Sequence, residues 1–94
     1  MATASARHIL VEDEAVCSDL KSKISSGETT FEIAAKEYSK CPSGNDGGAL
    51  GTFGEGQMVP EFDKVVFNDE IGVVHGPVKT QFGWHLLEIT GRND

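Results

Sequence analysis

Ninety-four residues are too few for two ordinary domains and bury roughly 60–65% of their unfolded surface in one unit, so a single domain spanning 1–94 is expected. A 38% apolar share suits a globular chain, and fifteen acids against eight bases, a net charge of −7, repel phosphate backbones and anionic lipid heads, so no nucleic acid and no membrane surface is expected as a partner. Met1-Ala2-Thr3-Ala4-Ser5-Ala6-Arg7 holds no hydrophobic segment of leader length, and the expectation is a soluble, cytosolic, monomeric protein.

His8-Ile9-Leu10-Val11, closed by Glu12-Asp13-Glu14, predicts a strand over 6–11 followed by an acidic helix N-terminus. From Asp13 the side chains of Val16, Cys17, Leu20 and Ile24 recur at helical spacing until Gly27, which suits a left-handed cap, so the first helix ends near Ser26. Thr29 and Glu32 read as a capping box, after which Phe31, Ala34, Ala35 and Tyr38 share a face until Pro42, predicting a helix over 30–40. Residues 43–56 carry six of the eleven glycines but lack both the Gly-Lys-Ser/Thr of a phosphate cradle and a G-x-G-x-x-G fingerprint, and are expected to be turns and flexible loop. Ala49 to Phe53 alternates as a short strand, and Pro60, Phe62, Val65 and Val66 predict a helix over 60–68. Residues 76–80 and 83–90 read as two strands joined at Gln81-Phe82-Gly83. The resulting order β, α, α, β, α, β, β, ending in a hairpin, predicts an α+β fold with an antiparallel sheet.

Period two places His8 with Leu10 on one face of the first strand, and His85 with Leu87 and Ile89 on one face of the last. If those strands are neighbours the two imidazoles face the same side; otherwise they are unconnected, half-buried histidines. His75 and Cys41 complete no recognised metal-ligand spacing, and no metal or other cofactor is expected. Nothing in Ser39-Lys40-Cys41-Pro42 identifies the orienting group a thiol protease needs, and Cys17 and Cys41 lack the Cys-x-x-Cys spacing of a redox pair, so reduced thiols are expected. Met58 and Phe62, beside a helix start, read from composition alone as core fillers.

Taken in order, Arg7-His8-Ile9-Leu10-Val11, Tyr38-Ser39-Lys40-Cys41-Pro42-Ser43-Gly44, Gly47-Gly48-Ala49-Leu50-Gly51-Thr52-Phe53, Gly56-Gln57-Met58-Val59-Pro60-Glu61-Phe62 and Thr80-Gln81-Phe82-Gly83-Trp84-His85-Leu86-Leu87 closely resemble the parvulin family of peptidyl-prolyl cis/trans isomerases, over about residues 5–91. The resemblance implies an FKBP-like βα3βαβ2 superfold, a four-stranded antiparallel sheet surrounded by helices, with His8 and His85 on adjacent central strands. It implies catalytic roles for His8, Cys41, Thr80 and His85, and a proline-ring pocket made of Leu50, Met58 and Phe62 with Phe53 nearby.

The implied function is isomerisation of exposed, unphosphorylated X–Pro bonds in unfolded or flexible polypeptides, in aid of folding. The rival is a chaperone-like module that binds such segments with little turnover. Glu12-Asp13-Glu14 stands where phosphate-dependent relatives carry a basic cluster, which argues against a phosphoserine-proline preference.

Overall fold

The computed structural model describes residues 3–40 and 42–93, so Cys41 lies outside the described residues. Strand β1 (Thr3–Val11) leads into helices α1 (Glu14–Ser26) and α2 (Phe31–Tyr38), a 3-10 helix (Pro42–Asp46), strand β2 (Ala49–Gly54), helix α3 (Pro60–Val66) and the hairpin of β3 (Val74–Thr80) and β4 (Gly83–Asn93). All neighbouring strands are antiparallel, in the order β2-β1-β4-β3, so the histidine-bearing β1 and β4 are adjacent and central. This is the α+β sheet expected, with the 3-10 turn as the third helical element before β2.

Helix boundaries follow local chemistry. Asp13 accepts the Ala15 N–H at the start of α1, and Gly27, at φ +85°, closes it in the left-handed region. The cap of α2 is Thr30 rather than Thr29, because the Thr30 hydroxyl is the one within reach of the Ile33 N–H, at 3.2 Å. Helix α2 stops at Tyr38, short of the expected residue 40, because the chain there turns to β1: Ser39 Oγ accepts from the Leu10 N–H, and the Lys40 N–H donates to the Leu10 carbonyl. Strand β1 begins three residues before the expected start, since Thr3, Ala4 and Ser5 pair with both β2 and β4.

The sheet has two covered faces. Ile9, Val11 and Leu86 meet Cys17, Leu20, Phe31, Ala34 and Ala35 beneath α1 and α2. Ala4, Ala6 and Leu87 meet Phe53, Phe62 and Val66 beneath α3. Alternation along β1 thus sends Ile9 to one core and His8, beside Ala6, to the other.

The glycine-rich segment is not the flexible loop expected. Gly44, Gly47 and Gly48 are buried, and Gly48, at φ +87°, lies so close to β1 that a Cβ would sit 2.4 Å from the His8 carbonyl oxygen. The His8 N–H donates to the Gly48 carbonyl at 2.9 Å, which clamps the backbone of a site residue.

Candidate functional site

His8 faces Leu87 across the ladder and Leu10 faces His85, a diagonal placement that brings both imidazoles to one side of the sheet. Their rings lie nearly parallel, with Nδ1 facing Nδ1 at 3.2 Å. Two neutral rings share that contact only as opposite tautomers, one Nδ1 carrying the proton and the other accepting it. On the far side His85 Nε2 lies 2.7 Å from the Thr80 hydroxyl, which itself accepts the Phe82 N–H. Burial pushes both imidazoles down to about 4, and for His85 the charge of a protonated His8 acts in the same direction, so the pair is neutral near pH 7.

Phe62 stands edge-on to both imidazoles, its ring centre 4.5 Å from that of His85 and 5.4 Å from that of His8. It is held there by a closed β2–α3 turn, in which the Gln57 side chain accepts the Gly54 N–H and the Asp63 carboxylate accepts the Gly56 N–H. The same turn carries Met58 and Val59 to the site. Together Leu10, Leu50, Met58, Val59, Phe62 and Phe82, with His8, His85 and Lys40, line a cavity of about 340 Å³. That volume is at the small end of ligand sites and its walls are almost wholly apolar, which suits a short, uncharged piece of polypeptide.

The structure therefore brings together His8, His85, Thr80, Leu50, Met58 and Phe62. Phe53 does not line the cavity itself but lies close behind it, in the same buried cluster as Phe62, against which Leu50 and Met58 pack. Buried there, it meets Phe67 edge to face, because alternation along β2 turns it inward under α3 rather than toward the opening. Cys41 lies outside the described residues, next to cavity-lining Lys40. His75 is not drawn in; its Nε2 is 2.8 Å from the Glu70 carbonyl.

Four lining residues were not singled out from the sequence. Leu10 was legible from its shared face with His8, and Val59 from its place between Met58 and Pro60. Phe82 has a signal in being a large aromatic in a hairpin turn, where it is 61% exposed. Lys40 has none, since its position depends on where α2 ends.

Comparison with known proteins agrees with this geometry. The family described as "Rotamase: PPIC-type PPIASE domain" matches residues 8–91. The foldase protein PrsA of Geobacillus kaustophilus is 44% identical over 88 residues, which are 93% of this chain and 31% of that protein. The crystal structure of the peptidylprolyl isomerase PrsA from Bacillus anthracis superposes with a TM-score of 0.93 at 37% identity, covering 99% of this chain and 43% of that one. The solution structure of NmPin, the parvulin of Nitrosopumilus maritimus, superposes with a TM-score of 0.85 at 33% identity, covering 97% and 98%. The chain spans about a third of the length of the curated PrsA relative it matches. A cytosolic location finds no support here, since it rests on the composition of residues 1–7 alone; what the structure adds is that, among the described residues, no helix is long and apolar enough to cross a membrane. With a match over residues 8–91 and a shared fold along its length, the chain belongs to the PPIC-type, or parvulin, family of peptidyl-prolyl isomerase domains.

Proposed function

We propose that residues 1–94 act as one monomeric, cofactor-independent peptidyl-prolyl cis/trans isomerase domain on exposed, unphosphorylated X–Pro bonds of unfolded or flexible polypeptides. The observation that carries this reading is an apolar cavity floored by a neutral, hydrogen-bonded histidine pair. The barrier to rotation about a peptide bond, about 18–20 kcal/mol, reflects the amide resonance that twisting breaks, and the twisted amide has lost much of the planar form's charge separation. Apolar surroundings favour that state over the planar one. A proline ring seated against Leu50, Met58 and Phe62 stays fixed while the preceding carbonyl turns, so binding energy goes into the twisted form without a covalent bond. His8 and His85 keep the floor rigid and uncharged, and Thr80 acts through His85 by setting its tautomer.

On this mechanism no covalent bond is needed, and Cys41 is not a nucleophile. Cys41→Asp should retain substantial turnover with no covalent adduct by mass spectrometry; complete loss in a folded variant, with an adduct trapped on the wild type, points to attack by the thiol. The test of the whole reading is exchange NMR of an apolar X–Pro peptide, with faster cis-to-trans conversion expected. The second reading, a folding-assistant module that binds without turnover, is favoured by the foldase name of the PrsA relative. Peptide-induced shifts without any exchange enhancement would select it.

A further inference from the structure

The active-site cavity is not an isolated depression. Lys40 lines it and also lines a neighbouring cleft of about 320 Å³ beside the end of β1, whose walls include Val16 and Tyr38. Tyr38 and Glu37 in turn border a third depression between α1 and α2, where Ile33 is exposed. Among the described residues six large apolar side chains are exposed, and four of them fall along this one path: Phe82 at 61%, Val16 at 39%, Tyr38 at 44% and Ile33 at 48%. A random scatter of surface apolar residues needs no explanation; a line of them leading out of a binding cavity does.

Charge points the same way. Glu12, Asp13, Glu28 and Glu37 border the two outer depressions against Lys23 and Lys40, and Lys23 is engaged by Asp19 at 3.2 Å. The path therefore combines apolar footholds with a negative rim.

We propose that this path is a track for the substrate itself: the polypeptide on one side of the bound proline runs from the cavity over Lys40, past Val16 and Tyr38, to the α1–α2 groove at Ile33, and the track prefers apolar and basic residues there. The occupant follows from continuity. A proline within a polypeptide cannot occupy the cavity without its flanking chain leaving it, and the surface that begins at the cavity edge has the pattern an unfolded, apolar and cationic segment complements. The inference rests on the isomerase reading for the cavity, and deepens it by assigning a second contact region and a substrate composition.

The experiment compares a short apolar X–Pro peptide with versions extended on the N-terminal or C-terminal side by about six residues of mixed Val and Lys, roughly 20 Å when extended. One of the two extensions should raise kcat/KM about tenfold. An Ile33→Ser/Tyr38→Ser variant should lose that gain while turning over the short peptide normally. Replacing Lys by Glu in the extension should abolish the gain, and Glu12→Lys/Glu37→Lys should restore it. Chemical-shift changes at Val16, Ile33 and Tyr38 on adding the extended but not the short peptide read the track without turnover, so an inactive protein would sink the isomerase reading and leave the track decided by these shifts. Equal rates and no such shifts for all peptides overturn the proposal, as does a gain that survives in Ile33→Ser/Tyr38→Ser. Loss of a self-association equilibrium in that variant, without any effect on extended peptides, would make the face a contact between copies and overturn it equally.

Discussion

Burial holds both imidazoles of the His8–His85 pair at about 4, and an unfolded chain titrates them near 6.5. Between those values the unfolded chain binds protons that the folded one refuses. The contribution is therefore fully present above about pH 6.5 and declines as pH falls toward 4, by up to about 1.4 kcal/mol per pH unit for each histidine. Urea unfolding between pH 7 and 5 should show this loss, and a His8→Gln/His85→Gln variant should flatten it; stability that rises on acidification over that window would mean the pair is held as an imidazolium. On the proposed mechanism, in which the neutral pair is the working form, turnover should stay level down to about pH 5. Phe62 raises a different question, whether its ring is core or wall, and the structure answers that it is both: only 4% exposed, packed with Phe53 and Val66, yet edge-on to the imidazoles. Phe62→Ala should cost about 3–5 kcal/mol and, per folded molecule, about tenfold or more in kcat/KM. Phe62→Leu keeps most of the buried volume and should separate the two, with fold retained and turnover reduced; unchanged turnover in both variants would remove Phe62 from the site.

At the scale of elements, α3 and the 3-10 segment are short and owe their placement to neighbours. Helix α3 has no side-chain cap at its start, and its far end is tied to β4 by Arg92, whose Nη1 donates to the Val66 carbonyl and to that of Asp69 just beyond the helix, each at 2.9 Å. The 3-10 segment ends at Gly47, which packs against Glu32 of α2, and Gly48, which abuts His8 of β1. Gly48→Ala meets both a left-handed φ and the His8 carbonyl, so β1 must shift, and a loss well above about 2 kcal/mol with displaced His8 resonances is expected. Gly51→Ala is the matched comparison: its φ is +76° but nothing lies within 4 Å of the added carbon, so only the backbone cost of about 1–2 kcal/mol should appear. Equal losses at the two positions would show that close approach to His8 contributes nothing.

Over the whole molecule, the net charge of −7 acts on every substrate that approaches. Phosphoserine or glutamate before proline should react more slowly than leucine or methionine, and the gap should narrow with salt, because the screening length falls from about 30 Å at 0.01 M to about 3 Å at 1 M. Phosphoserine as the best substrate, or a gap indifferent to salt, would rule out this field as its cause. The frame that carries the site is tied together near the same place. Arg7 lies over the Phe31 ring and pairs with Glu32 and Glu88, joining β1, α2 and β4 one residue from His8.

What could be read from the chain alone was whatever depends on near neighbours in it. The Asp13 and Gly27 ends of α1, the helical face of Phe31, Ala34 and Ala35, and the opposite faces of His8 and Ile9 all follow from periodicity and capping, since helix hydrogen bonds and strand alternation are local. Ordered motifs pointed by resemblance to Thr80, His85, Leu50, Met58 and Phe62, but not to Leu10, Lys40, Val59 or Phe82, which also line the cavity. The tertiary structure alone decided that His8 and His85, 77 residues apart, meet at Nδ1, that Phe53 stands behind the cavity while Phe82 stands at its edge, and that Gly48 locks onto His8. Those facts depend on strand register and on which backbone passes close to which, and a one-residue slip would turn each side chain to the other face without altering any local pattern.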